Sequence, residues 1–321
     1  MSKAQAQGAF RDDVLAGLRQ RQKAVPARWL YDDAGSQLFE EITRLPEYYP
    51  TRAETEILTA QATEFARLIG KGRAVVEFGS GSSIKTPLLL QAVEPAAYVP
   101  LDISGDFLRD AAAELQAKFP GIPVYPVEAD FMRPVDLPAE IADMRKLAFF
   151  PGSTIGNMVP ATGVDLLRSM KATLGPDGGE PPLLLIGMDL VKDRPVLEAA
   201  YDDAAGVTAR FNLNLATRIN RELGGDVPVG ALRHRAIWND AFARIEMHLQ
   251  AISDVAFTIA GQPFTMAAGE TIHTENSHKF TRRSANLLLL AGGWTPLERW
   301  TDAEERFSLV LALATEPRSA P

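Results

Sequence analysis

A doubly wound α/β fold, with a mostly parallel sheet and a second, smaller α+β domain, is what this sequence predicts. Three observations carry that expectation. Between about residues 51 and 192, helical stretches alternate with strands apolar enough to be buried on both faces. Beyond about Lys192 the texture changes to alternating segments of the kind that form half-exposed antiparallel strands. A glycine loop, VVEFGSGSSIKT (75–86), follows directly from the first buried strand.

In chain order, Thr51 and Glu54 read as a capping box for a helix running to about Ile69. A strand is expected at 73–78, then the glycine loop. AAYVPLD (96–102) is a second strand, and Ser104 is a good N-cap for a helix through Lys118. IPVYPV (122–127) is a weaker third strand, KLAFFPG (146–152) a fourth and PPLLLIGMD (181–189) a fifth. A long helix is expected over Val207–Leu223, then alternating segments at RIEMHLQAIS (244–253) and ETIHTENS (270–277). Helix and strand return at TRRSANLLLLAGG (281–293) and ERFSLVLALAT (305–315). The expected organisation is discontinuous. A sheet domain takes 52–195 plus 279–315, a second domain takes 1–51 plus 196–278, and 316–321 is a frayed tail.

Composition narrows the classes. The 321 residues suffice for a sizeable core, and 33 Lys+Arg against 41 Asp+Glu give a net charge of −8. No basic stripe stands out, which argues against a nucleic-acid or anionic-membrane partner. The absence of cysteine excludes a disulfide scaffold, thiolate metal sites and a cysteine nucleophile. The first residues, MSKAQAQGAFRDDVLAGLRQ, do not read as a signal peptide, and no apolar run reaches membrane-spanning length. A cytoplasmic protein is expected. The four histidines (234, 248, 273 and 278) show no metal-ligand spacing; His248 and His273 are expected on polar strand faces at the surface.

The loop is one residue away from two answers. As G-x-x-x-x-G-K-[ST] it is a P-loop with Ile84 in place of the second glycine, where a β-branched side chain obstructs the close wrap around phosphates. As E-x-G-x-G it is the first loop of an S-adenosylmethionine-dependent methyltransferase. Gly79 and Gly81 let the chain turn and approach a ligand, and Glu77 precedes them. Asp102 closes the second strand, where an acid accepts hydrogen bonds from ribose hydroxyls and disfavours a phosphate. Asp130 follows the third strand and can hold an adenine amino group. The third glycine of a dinucleotide fingerprint is missing. The methyl-donor reading is the better one.

Longer strings sharpen it. WLYDDAGSQLFEEITRLPEYYPTRAE (29–54), FGSGSSIKT, FFPGSTIGN (149–157), DLVKD (189–193), AYDDAAGVTARFN (200–212), RIEMHLQA (244–251) and IHTENSHKF (272–280) together resemble one family. It is the histidine-specific Nα-methyltransferase family of ergothioneine biosynthesis, whose product is trimethylhistidine (hercynine). The resemblance runs from about Pro26 to Ala314. It implies a class I, Rossmann-like methyltransferase fold and S-adenosylmethionine as methyl donor, with no metal. By motif, it gives Gly79, Ser80, Lys85, Asp102, Asp130, Phe131 and the Gly152-Ser153-Thr154 turn as donor contacts. Tyr48, Asn157 and Tyr201 would clamp the substrate's carboxylate and amino group, with Tyr31 and Phe39 lining the amino end. Glu275 and Ser277 would read the imidazole, with Met247 beside the ring. Tyr31, Tyr48 and Asn157 are the candidates for catalytic work. Partners reduce to L-histidine and its mono- and dimethyl intermediates, and a monomer is expected.

These residue types suit that chemistry. Glu275 and Ser277, two apart on a strand, project to one face, and a carboxylate with a hydroxyl complements the donor and acceptor of a neutral imidazole. Asn276 between them faces the other way and is given no role. Asn157 can accept an amine hydrogen and so aim the lone pair. Each residue alone has a plainer reading. Tyr48 is also a packed turn tyrosine, Glu275 a solvated acid, Asn157 a turn or cap residue, Met247 core and Asp102 a helix cap. Their joint occurrence inside long matched strings outweighs those readings. Three alternatives stay open at this stage: the same fold acting on another amino acid or a tryptophan-derived amine, a P-loop ATPase or kinase, and a protein that binds the donor without turnover.

Overall fold

A computed structural model of the chain describes residues 3–81, 85–103, 105–175 and 180–315. Ile84, Ser104 and the 316–321 tail, all singled out above, lie outside the described residues. The strands are β1 (Lys23–Ala24), β2 (Ala74–Phe78), β3 (Ala97–Asp102), β4 (Val127–Glu128), β5 (Lys146–Phe150), β6 (Leu183–Asp189), β7 (Leu232–Asn239), β8 (Arg244–Ala251), β9 (Val255–Ile259), β10 (Gln262–Met266), β11 (Thr271–His278), β12 (Trp294–Thr301) and β13 (Phe307–Ala314). The helices are α1 (Lys3–Leu18), α2 (Asp33–Thr43), α3 (Tyr49–Ala60), α4 (Ala62–Ile69), α5 (Thr86–Val93), α6 (Gly105–Lys118), α7 (Pro160–Leu174), α8 (Arg194–Tyr201), α9 (Val207–Leu223) and α10 (Arg282–Ala291). The chain divides into two compact units. One is Met1–Tyr49 with Lys192–His278; the other is Pro50–Val191 with Lys279–Pro321.

The second of these units holds a seven-stranded sheet in the order β12-β13-β6-β5-β2-β3-β4. From β6 through β4 the strands are parallel; β13 runs antiparallel to both β6 and β12. Strand alternation feeds two apolar layers. Val76, Ala148, Leu184 and Val310 face a cluster with α7 and α10, while Val75, Leu147, Leu185 and Leu309 face one with residues of α3, α4 and α5. β2, β5 and β6 are therefore buried along their whole length. The expected third strand shrinks to β4 plus an isolated Tyr98–Val124 bridge, because Pro123 and Pro126 cannot donate to a ladder.

One expectation is overturned at α3. The helix starts at Tyr49, with Pro50 in the first turn where its missing N–H costs nothing, and it ends at Ala60. Thr51 therefore lies inside the helix, where its carbonyl accepts the Thr55 hydroxyl at 2.7 Å. Glu54 does not cap; its carboxylate is committed elsewhere.

The other unit has a four-stranded sheet, β1-β11-β8-β7, and a separate β9–β10 hairpin. β8 pairs antiparallel with β7 and β11, and β1 adds parallel to β11. α9 covers this sheet with a helical stripe of Val207, Phe211, Leu215, Ile219 and Leu223, each contributing roughly 1.5–3 kcal/mol by burial. Its exposed N–H groups are met by Asp203, whose carboxylate accepts from Val207 N–H at 2.9 Å and Thr208 N–H at 2.8 Å. No helix among the described residues is long and apolar enough to cross a membrane.

Candidate functional site

In the seven-stranded sheet the chain steps outward from β2 through β3 to β4, then returns and steps the other way through β5 to β6. The topological switch therefore falls between β2 and β5, and ligands of open α/β sheets bind beyond the carboxyl ends of the strands at such a point. The two loops leaving it are those singled out in the sequence: Gly79-Ser80-Gly81 after β2, and Gly152-Ser153-Thr154 after β5.

Both turns need left-handed backbone, with φ +73° at Gly79 and +77° at Gly152. Ser153 adopts φ +56° without being glycine, at a cost on the order of 1 kcal/mol. It is held there because its Oγ accepts the Asp189 N–H at 2.9 Å. The Gly152 N–H donates to the Glu54 carboxylate, at 2.9 Å to Oε2 and 3.1 Å to Oε1. That carboxylate is fully buried and also pairs with Lys85. Gly187 makes room for it: a Cβ there would lie 2.4 Å from Glu54 Oε1. Lys85, assigned by resemblance to the donor, thus has its charge answered by Glu54. A P-loop lysine must reach phosphates, so this pairing also argues against the ATPase reading.

Around the first loop, Gly79 and Ser80 donate their N–H groups to the Leu101 carbonyl at 2.9 and 3.2 Å. Glu77 is buried, and its Oε2 accepts the Thr86 and Tyr98 hydroxyls, both at 2.7 Å. Gly81 N–H points to Asp102 Oδ2 at 3.3 Å. An acid rather than a cation therefore stands beside the glycine turn at the end of β3, a donor set that fits ribose hydroxyls and repels phosphate. Phe131 meets Phe78 and Phe150 edge-on, with centroids 5.9 and 6.4 Å away, and a Cβ on Gly79 would lie 3.6 Å from its ring. Asp130 is exposed, and its Oδ1 accepts the Met132 N–H at 3.1 Å. Thr154 bonds the Pro151 carbonyl at 3.1 Å, and Asn157 ends the short 3₁₀ turn that follows. All of the candidate donor residues, and Asn157, belong to this unit.

The other candidates belong to the unit with the four-stranded sheet, which gathers them from separate segments. Tyr31 meets Phe39 edge-on at 5.5 Å, Phe39 meets Tyr48 at 6.2 Å, and Tyr48 meets Tyr201 at 6.1 Å. The Tyr201 hydroxyl shares a 2.7 Å hydrogen bond with the Ser277 hydroxyl. Glu275 pairs across the sheet with Met247, and Ser277 with Ile245, so these side chains occupy one face. Burial, then the Glu275 carboxylate, then Tyr48 and Tyr201, push the Tyr31 phenol well above its ordinary value.

The sequence reading missed two members of this constellation. Phe211 from α9 completes the ring cluster, 5.3 Å from Tyr31 and 6.1 Å from Phe39. His234 is buried, its Nε2–H donating to the Tyr201 carbonyl at 2.8 Å while Nδ1 accepts the Asn212 amide at 2.9 Å. Burial lowers its pKa, and as a neutral ring it fixes the backbone of Tyr201. Phe211 has a legible signal in the helical stripe of α9; His234 has none, because its partners are remote in sequence.

The expectation that His248 and His273 are surface residues is overturned. His248 is buried, His273 half-buried, and their rings stack at 4.6 Å with 18° between planes. Burial lowers the pKa of both, and for His273 the neighbouring His248 adds to it. The strand face that reads as polar is covered by paired side chains from β8 and β11 rather than by water.

Comparison with known proteins completes the picture. A family described as histidine-specific methyltransferase, SAM-dependent, matches residues 10–314. Histidine N-alpha-methyltransferase of Mycolicibacterium smegmatis is 42% identical over 95% of this chain and 95% of its own. The protein of that name in Mycobacterium tuberculosis is 40% identical, over 95% of this chain and 94% of its own. Ergothioneine biosynthesis protein 1 of Neurospora crassa is 30% identical over 88% of this chain, a match that spans 32% of that longer protein.

Proposed function

The chain belongs to the S-adenosylmethionine-dependent, histidine-specific methyltransferases, and we propose that it trimethylates the α-amino group of L-histidine to hercynine, the first step of ergothioneine biosynthesis. One observation carries the substrate assignment. A carboxylate and a hydroxyl, Glu275 and Ser277, share a strand face with Met247, and Ser277 is bonded to Tyr201 at the rim of a cluster of aromatic rings.

On this reading Glu275 accepts the imidazole N–H and Ser277 serves the other ring nitrogen, with Met247 shaping the space for a small ring. Tyr48 and Tyr201 are the candidates for the carboxylate and amino group, and Asn157, in the other unit, stays a candidate for the amine. Gly79, Ser80, Lys85, Asp102, Asp130, Phe131 and Gly152-Ser153-Thr154 are the candidates to hold S-adenosylmethionine, which would supply a sulfonium methyl to the lone pair of the amine and leave as the thioether. The ammonium loses a proton before each transfer; beyond that the protein's part is orientation and exclusion of water, and the transfer calls for no metal. The rings of Tyr31, Phe39, Tyr48, Tyr201 and Phe211 offer π-faces and hydroxyls to an ammonium that becomes quaternary after the third transfer. The same reading takes the protein as a cytoplasmic monomer whose partners are histidine, its mono- and dimethyl forms and the donor.

Because its phenol is held neutral, Tyr31 acts as a hydrogen-bonding hydroxyl and not as the base. Tyr31→Phe is expected to lower kcat/KM by about tenfold, the loss of one hydrogen bond to a charged group, without moving the limbs of the pH–rate profile between about pH 6 and 10. A limb that vanishes in the variant would make Tyr31 the proton acceptor instead.

Mass spectrometry after incubation with S-adenosylmethionine and a panel of amino acids and amines tests the proposal. Successive gains of one, two and three methyls on histidine alone are expected. Methylation of a different amine would leave the donor assignment standing and refute the role given to Glu275 and Ser277.

A further inference from the structure

The face of β8 and β11 opposite Met247, Glu275 and Ser277 carries a second group of chemistry-bearing side chains. Glu246 and His248 are two apart on β8 and so project together, and His273 of β11 is the cross-strand partner of His248. One ligand atom from each of the three lies within 4.8 Å of the others. The carboxylate is already oriented. Glu246 Oε1 accepts from Arg244 Nε and Nη2 at 2.7 and 2.6 Å and from the Asn239 amide at 2.9 Å, which leaves Oε2 facing His248 Nε2 at 3.2 Å. His273 Nε2 is steadied by the Glu275 carbonyl at 3.1 Å. The buried Nδ1 of His248 has no hydrogen-bond partner among the described residues.

We propose that Glu246, His248 and His273 bind one divalent transition-metal ion of the zinc, cobalt or nickel type. Two imidazoles and one carboxylate, with that carboxylate fixed by hydrogen bonds from outside the set, is a ligand arrangement such ions favour. Metal–ligand bonds of about 2.0–2.2 Å require ligand atoms about 3.3 Å apart, so an ion would draw together side chains whose ligand atoms already lie within 4.8 Å of one another. The chemistry excludes hard cations. Arg244 on Glu246, and Arg235 opposite His248 on β7, oppose a purely electrostatic ion, so magnesium and calcium, which need several oxygen ligands, do not compete. The proposal is independent of which amine the enzyme methylates, and the ion would tie β8 to β11 from behind rather than touch the reaction.

The test is cobalt(II) titration of untagged, chelator-treated protein, followed by visible absorption, then competition by zinc and by excess magnesium. The chain has no cysteine and four histidines, so background sites are few. One equivalent of cobalt with an intense visible band, displaced by zinc and not by magnesium, is expected. His248→Gln and His273→Gln should each abolish the band while circular dichroism shows a folded protein. His273→Gln, at the half-buried position, keeps the test available if His248→Gln unfolds. Absence of the band in the wild-type protein, or its retention in a folded variant, overturns the site.

Discussion

Replacing Glu275 by alanine is expected to lower kcat/KM for histidine by about 10³–10⁴-fold while leaving affinity for S-adenosylmethionine unchanged. The residue is 8% exposed, in line with Met247 across the sheet, and close enough to Tyr31 to raise its pKa. On the proposed role, an imidazole N–H buried beside residue 275 without the carboxylate has no acceptor and forfeits its hydrogen bonds to water. Discrimination of that size is what a site built for a polar group loses when the pairing fails, and it corresponds to about 4–5.5 kcal/mol of transition-state binding. Glu275→Gln retains an acceptor oxygen and should recover part of the loss. Steady-state kinetics with histidine, alongside calorimetry with the donor alone, separates the two effects. Turnover on histidine within about twofold of wild type, well inside the effect of one hydrogen bond, would remove Glu275 as the reader of the ring.

Glu54→Ala is expected to cost about 3–5 kcal/mol of stability and to weaken donor binding, although the resemblance gives Glu54 no part in it. The carboxylate is fully buried, pairs with Lys85 and accepts the Gly152 N–H. Alanine leaves a partly buried ammonium and a loop N–H without their acceptor, and breaking one side of such a pair costs more than the pair contributes. The Gly152-Ser153-Thr154 turn, already strained at Ser153, would lose its anchor to Glu54 and keep the Ser153–Asp189 and Thr154–Pro151 bonds. Denaturant unfolding measures the first effect, and calorimetric affinity for S-adenosylhomocysteine measures the second. A variant within about 1 kcal/mol of wild type that binds the product equally well would show that the turn does not depend on Glu54.

The switch point at β2 and β5 is where sequence and structure meet most closely. Buried strands announce themselves by unbroken apolar runs, and a glycine pair after such a strand announces a sharp turn, because both signals are local to a few residues. Failures came where a residue's partner is distant. Glu54 reads locally as part of a capping box, but its acceptors are claimed by Lys85 and Gly152, one far along the chain and one farther still. The strand expected at 122–127 shrinks for a different reason, since Pro123 and Pro126 each remove a ladder donor.

By itself the sequence determined the parallel core, the glycine loop with its acid at Asp102, and the long strings that mark the family, since each is written in neighbouring residues. Only the tertiary structure decided which faces the β11 side chains take. Plain alternation puts His273 and Glu275, two apart, on the same side of the strand. The register shifts between them, so His273 pairs with His248 and Glu275 with Met247, on opposite faces. An extra residue of that kind is defined by pairing with β8, more than twenty residues earlier in the chain. The same holds for the rings of Tyr31, Phe39, Tyr48, Tyr201 and Phe211, which side-chain packing over long sequence separations brings together and local periodicity does not record.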